Sequence, residues 1–251
     1  MSNVELIRND NIVRLQLNRP DVFNALSPDL LEELIELCAE LNSDESTKVV
    51  VLEGAGEHFC AGADLPQFTK NMASDPKGTA DLGRRVANAL GTIPQTTIAA
   101  IKGYCIGGAL VLSAACDLRI ASSDSRFSIP ELDAGIPLSW GGMADVVRLV
   151  GETVANDLVL TCRPFDAEDA LRAGFISRII AADSFEDEAT SLAELVAAKP
   201  LIALRQTKRK LIDIRAGTFD ARDDAAEMIA AMSDPEATSI GRAYIQKNIW
   251  K

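Results

Sequence analysis

The stretch Lys102-Gly103-Tyr104-Cys105-Ile106-Gly107-Gly108-Ala109 joins an apolar run that reads as a buried strand, Thr97–Ile101, to one that reads as a buried helix, Leu110–Cys116. A strand handed through glycines to a helix start leaves backbone N–H groups without internal acceptors, and glycine lets another group approach them closely. Such an arrangement suits a developing negative charge. Tight strand–helix packing is the other reading of a glycine cluster. A second glycine loop, Ala61-Gly62-Ala63, follows the strand-like run Val49–Leu52. If the two strands are neighbours, amides from both loops converge on one oxygen. Paired amides stabilise an enolate or a tetrahedral oxyanion, and losing one donor typically costs about 10²–10³ in rate.

Other common chemistries are missing. The chain has no GxSxG elbow, no Walker-type phosphate loop and no HExxH. His58 is its only histidine, which leaves a Ser-His or Cys-His couple a single candidate base and gives no support to a His/Cys metal site. A chain of 251 residues can bury a large core as one large domain or two small ones. Its 25 Lys and Arg against 37 Asp and Glu give a formal charge of −12, which argues against nucleic acid or an anionic membrane as partner. The five cysteines (Cys38, Cys60, Cys105, Cys116, Cys162) include no CxxC and sit among apolar neighbours, as reduced buried thiols do. The N-terminus lacks a signal pattern, and no apolar stretch approaches about 18 residues. The expectation is a cytoplasmic, unanchored protein.

These loops need elements to position them. Val4–Arg8 and Ile12–Leu17 read as a hairpin around Asn9-Asp10-Asn11. Ser27-Pro28-Asp29 is a helix start, with Leu30, Leu34, Leu37 and Leu41 at helical spacing through Asn42. Lys48–Leu52 is continuously apolar, as a strand buried on both faces would be. Residues 70–80 read as a mobile excursion before a helix from about Ala80 to Leu90. Asp117–Ala121 reads as a strand, and Phe127–Leu132 as extended before its proline. From residue 152 the chain reads as mostly helical, with a short strand at Arg178–Ala181. Paired β-runs followed by helices recur in the first half, a hint of internal repetition.

Taken in order, Arg19-Pro20-x-x-x-Asn24-Ala25-Leu26, Phe59-Cys60-Ala61-Gly62-Ala63-Asp64-Leu65, Gly103–Ala109, Cys116-Asp117-Leu118-Arg119-Ile120-Ala121 and Phe127-x-x-Pro130-Glu131-Leu132-x-x-Gly135 resemble the crotonase superfamily, the enoyl-CoA hydratase/isomerase family, over essentially the whole chain. The resemblance implies an α/β fold, a spiral of ββα units over residues 1–190, with a helical C-terminal region, 191–251, that assembles trimers or dimers of trimers. It implies an acyl-CoA thioester as substrate, with coenzyme A part of that substrate and no separate cofactor or metal. The family's oxyanion donors map onto the backbone N–H groups of Ala63 and Gly108, and its CoA-contacting backbone onto Ala25 and Ala61, with Asp64 beside them. For Asp64, capping the helix that follows is the competing role.

The resemblance also assigns catalysis to Glu131, whose neighbours Phe127, Ile129, Pro130 and Leu132 are apolar. Burial there raises a carboxyl pKa and improves a proton carrier near neutrality. Without the family match, a helix-terminus or ion-paired glutamate is the default reading. Hydratases of the family carry a second glutamate where this chain has Val111, three residues past Gly108 and so on the same helical face. A valine cannot activate water. One carboxylate suffices to move a proton between C2 and C4, and single-glutamate isomerases of the family use the position of Glu131. Asp133, on the same face if the segment is extended, is the alternative second acid. Trp140 and Leu138 stand where the family often has small residues and read as acyl-pocket walls or as core. The cationic run Arg205-Gln206-Thr207-Lys208-Arg209-Lys210 is a candidate for CoA phosphates or a solvated helix face.

The favoured reaction is enoyl-CoA double-bond isomerisation. Enoyl-CoA hydration is the first alternative, then decarboxylation of an acyl-CoA. A non-catalytic acyl-CoA binder, in which Val111 marks lost chemistry, is the reading from a different class.

Overall fold

The computed structural model of the chain describes residues 2–249. Its strands are β1 (Val4–Asn9), β2 (Ile12–Leu17), β3 (Val49–Gly54), β4 (Thr96–Ile101), β5 (Tyr104–Ile106), β6 (Leu118–Ser122), β7 (Arg126–Ser128), β8 (Phe165–Asp166) and β9 (Arg178–Ile180). A six-stranded sheet runs β1-β2-β3-β4-β6-β9, and β5-β7-β8 form a second, small sheet. Only the β1–β2 hairpin is antiparallel in the large sheet, in register Asn9↔Ile12, its two-residue turn made possible by Asp10 at φ +51°.

Period-two alternation in the central strands builds a core on each side. Val50 and Leu52 face a large cluster with Leu15, Leu30, Leu34, Val86, Ala109 and Leu112. Val49 and Val51 face a smaller one with Ile98, Ile120, Phe185, Ala189 and Leu192. β3 is thus buried on both faces, as its unbroken apolar run requires.

The first face is covered by α1 (Pro28–Asn42), α2 (Leu65–Met72), α3 (Pro76–Thr92) and α4 (Gly108–Ala115). After these come α5 (Gly142–Val150), α6 (Glu152–Thr161), α7 (Ala167–Ala173), α8 (Phe185–Ala197), α9 (Leu201–Ala216), α10 (Asp224–Ser233) and α11 (Pro235–Ile249). α1 opens as the sequence demands, with the Ser27 hydroxyl accepting the Leu30 N–H at 3.2 Å and Pro28 at the first position. The mostly helical reading beyond residue 152 holds, with β9 at the expected strand and the two-residue β8 as the addition.

One expectation needs correction. Residues 70–80 are not an excursion: α2 ends at Met72 and α3 begins at Pro76, four residues before the expected start. Asp75 caps α3 by accepting the Gly78 N–H at 2.9 Å, the same cap-then-proline device as Ser27-Pro28. The segment from Phe127 is extended up to Pro130, as expected, but not beyond it, so the condition for Asp133 to share the face of Glu131 is not met. Ala134 N–H donates to Pro130 O and Ile136 N–H to Glu131 O, so residues 130–136 form successive turns.

All five cysteines are free and buried. Burial pushes the thiols of Cys38, Cys60 and Cys116 up to about 12, and that of Cys105 in the same direction. Among the described residues no helix is long and apolar enough to cross a membrane.

Candidate active site

β3 and β4 lie side by side and parallel, so the loops leaving their C-terminal ends emerge together. They are zipped by backbone pairing: the Cys60 N–H donates to Tyr104 O at 2.8 Å and the Ile106 N–H to Cys60 O at 3.1 Å. Tyr104–Ile106, within the stretch read as one glycine turn, is a strand of the second sheet, paired with β7. A Cβ on Gly62 would come within 2.8 Å of Ile106 O, so the two loops touch only because Gly62 has none.

This pairing leaves two amides unspent. Leu26 N–H donates to Gly62 O and Asp64 N–H to Leu26 O, both flanking Ala63, whose own N–H has no acceptor among the described residues. Gly107 N–H donates to Ser128 O, while Gly108, at the first position of α4, has no acceptor for its N–H among the described residues. Ala63 and Gly108 border one cavity of about 580 Å³.

The same cavity takes in Ala61, Val111, Glu131, Leu138 and Trp140. Glu131 is brought there by β7, whose parallel pairing with β5 sets Pro130-Glu131 beside Gly107. Its Oε2 is buried with no hydrogen-bond partner among the described residues. Burial raises its pKa above the ordinary carboxylate value, opposed by its own backbone N–H. Val111, on the α4 face predicted from its spacing, is 1% exposed. Sequence reasoning missed that Leu65, Phe68 and Met72 of α2 complete the apolar wall; their i, i+3, i+7 spacing after Asp64 was the available signal.

Ala25 and Asp64 lie elsewhere. The Ala25 carbonyl accepts from Arg19, and neither residue borders the cavity. Asp64 takes the capping role: it accepts the Gln67 N–H at 3.3 Å and pairs with Arg19 at 2.9 Å. Buried Asn24, at φ +56°, ties this corner together, accepting from Arg19 N–H and donating to Ala55 O and His58 O. Asp133 is exposed on the turns after Pro130 and does not border the cavity, which removes its pairing with Glu131. His58 lies in its loop, stacked on Tyr104 at 4.3 Å between ring centroids.

The cationic run of α9 is turned inward or neutralised. Lys208 Nζ donates to Asp117 at 2.7 Å, Arg209 pairs with Glu227, and Lys210 pairs with Asp224 and Glu227. Each of the three thus has a carboxylate partner within the chain. Among the described residues, no group of three or more His, Cys, Asp or Glu side chains is placed to hold a metal ion.

Residues 7–231 match the family model described as enoyl-CoA hydratase/isomerase. The chain is 31% identical over 212 residues to a short-chain-enoyl-CoA hydratase of Clostridium acetobutylicum, covering 84% of this chain and 81% of that one. It is 33% identical over 228 residues to a peroxisomal Delta(3,5)-Delta(2,4)-dienoyl-CoA isomerase of Arabidopsis thaliana, covering 84% and 82%. The crystal structure of an enoyl-CoA hydratase from Bacillus anthracis superposes with a TM-score of 0.89 at 29% identity, over 98% of this chain and 96% of that one.

Proposed function

The chain belongs to the enoyl-CoA hydratase/isomerase family, and we propose that it isomerises the double bond of an enoyl-CoA thioester without a separate cofactor. The thioester carbonyl oxygen accepts from the N–H groups of Ala63 and Gly108. The Glu131 carboxylate takes a proton from C2 of a 3-enoyl thioester, and the electron pair of the broken C–H bond moves into a dienolate held by the two amides. The same carboxylic acid then returns the proton at C4. The product is the conjugated 2-enoyl thioester, and Glu131 ends as it began.

One observation carries this reading: among the described residues bordering the cavity, Glu131 is the only titratable side chain. Its buried, unpartnered Oε2 suits a group whose partner is substrate. Hydration divides its labour between a base for water and an acid for the α-carbon, and Val111 borders this cavity without a group that titrates. Hydration is nonetheless the second reading, because the Clostridium and Bacillus proteins carry that name.

Absorbance of the conjugated thioester separates the two. A 3-enoyl-CoA substrate raises it under isomerisation, and a 2-enoyl-CoA substrate lowers it under hydration. Glu131→Gln should abolish the first signal while acyl-CoA binding persists. A protein that hydrates 2-enoyl-CoA and leaves 3-enoyl-CoA untouched overturns the isomerase reading.

We also infer a homotrimer or dimer of trimers built through residues 191–251, acting in the cytoplasm. Met228, Ile229 and Met232 on α10 and Ile245 on α11 are exposed apolar side chains that such an assembly would cover. Five free, buried thiols suit a reducing compartment. Sedimentation equilibrium tests the assembly, and a monomer at micromolar concentration refutes it.

A further inference from the structure

Trp140 borders two cavities at once. One is the catalytic cavity. The other, of about 330 Å³, lies between α3, α4, α5 and α9 and is bordered by Ala87, Gly91, Ala115, Asp145 and Ile212. The indole is seated by absence: a Cβ on Gly83 of α3 or on Gly108 of α4 would overlap its ring. It also meets Phe68 of α2, with ring centroids 5.9 Å apart. The backbone under it is unusual. Trp140 has φ +61°, a conformation that a bulky residue enters only when its surroundings enforce it. Two seating glycines and an enforced backbone all serve to stand this ring between two spaces.

Resting on the reading of the catalytic cavity as an acyl-CoA site, we propose that Trp140 is the acyl-length stop: it closes a passage from the catalytic cavity into the second one, and its removal lets longer acyl chains run through. The second cavity offers apolar contact along Ala87, Gly91, Ala115 and Ile212, among polar neighbours Arg84, Asn88, Thr92, Asp145 and Arg215. A short chain ends against the indole, whereas a longer one needs the space beyond.

The test is a binding series, which does not depend on turnover. Saturated straight-chain acyl-CoA thioesters of increasing length are titrated into the full-length protein, Trp140→Gly, and Trp140→Gly with Gly91→Leu. Glycine is the natural choice at 140 because it relieves the positive φ. Gly91 suits the blocking change because a Cβ there meets only Ala115, at ordinary contact distances of 3.5 and 4.0 Å, so a leucine fills the second cavity without entering the first.

For the unaltered protein, affinity should climb about fourfold per added methylene, the roughly 0.8 kcal/mol of burying one CH₂, and then stop climbing. Trp140→Gly should extend the climb by several carbons, and Gly91→Leu in that background should restore the earlier stop. The same plateau in Trp140→Gly as in the parent, with acyl-CoA still bound, overturns the inference and leaves the proposed function standing. An extended climb that Gly91→Leu does not shorten also overturns it. If no thioester of any length binds the parent protein, the acyl-CoA reading falls and this inference with it. Trp140→Leu, which keeps apolar bulk over the two glycines, gives the same comparison should the glycine variant fail to fold, and must then place its plateau at a longer chain than the parent.

Discussion

The Glu131 carboxylate rests on the backbone of Gly107, so close that a Cβ at position 107 would stand 2.7 Å from Oε1. Gly107 also sits at φ +53° and ψ −118°, a region that residues with a side chain rarely enter. The two demands coincide in one residue, which precedes the Gly108 amide and so links candidate base to candidate oxyanion donor. Gly107→Ala should therefore act twice. The backbone conformation costs about 1–3 kcal/mol of stability, read by urea denaturation. The displaced carboxylate lowers kcat at unchanged fold, read by the isomerisation assay and far-UV circular dichroism. Full activity in this variant would mean that the Glu131 position does not matter to the reaction.

Glu131→Gln separates chemistry from stability. Loss of the proton carrier should reduce kcat by about 10²–10⁴. The stability effect runs the other way. Burial raises the folded-state pKa above the ordinary 4.5, so the folded protein holds this proton more tightly than the unfolded chain does. Stability from this group is greatest below 4.5 and falls as pH rises through the raised folded value. A neutral glutamine escapes that loss. Thermal unfolding of Glu131→Gln should match the parent at about pH 4 and exceed it at pH 8, and the parent's kcat should show an acid limb shifted upward.

Much of this was legible in sequence, for identifiable reasons. α1 and α5 were bounded correctly because Ser27-Pro28 and Gly141-Gly142 are strong local signals. β3 declared its double burial by being apolar without a break. The same local logic was available at Asp75-Pro76, where the Ser, Asp, Pro and Gly of residues 74–78 look like loop composition and hide a helix cap. What the sequence did not yield was long-range. That Lys208 is 2% exposed and spent on Asp117, 91 residues away, follows from α9 docking beside β4, and no window around Arg205–Lys210 contains that information. The contact of Arg19 with the Ala25 carbonyl is likewise made by the fold of the turn and not by any pattern in the residues. That Val111 borders the same cavity as Gly108 was readable, because helical spacing is a local relation.

Val111→Glu tests the single-carboxylate argument directly. The side chain borders the same cavity as Glu131, so an acid at this position adds a second carboxylate to that cavity. Burying the new carboxyl should cost about 1–3 kcal/mol of stability. In exchange, water gains a second carboxylate to hold it. The ratio of hydration of 2-enoyl-CoA to isomerisation of 3-enoyl-CoA should rise by at least tenfold (about 1.4 kcal/mol of barrier). An unchanged ratio would mean that the number of carboxylates is not what selects the reaction.

Lys208→Met asks whether the cations of α9 serve the fold or a ligand. Asp117 accepts from the Thr97 N–H at 2.9 Å, from Lys208 Nζ at 2.7 Å and from Arg215 at 2.9 Å, and its side chain is almost dry. Burial drives the Lys208 pKa down, and Asp117 opposes that shift. Removing the lysine strands a buried carboxylate with one remaining cation, a change that costs about 3–5 kcal/mol where no partner is left and less where Arg215 remains. Adding Asp117→Asn should recover part of the loss, giving a double variant less destabilised than the sum of the singles. If the α9 cations are spent inside the protein, Lys208→Met must leave the affinity for free coenzyme A and its dependence on salt unaltered. A weaker, less salt-sensitive affinity in a variant that remains folded would instead return this residue to the phosphates.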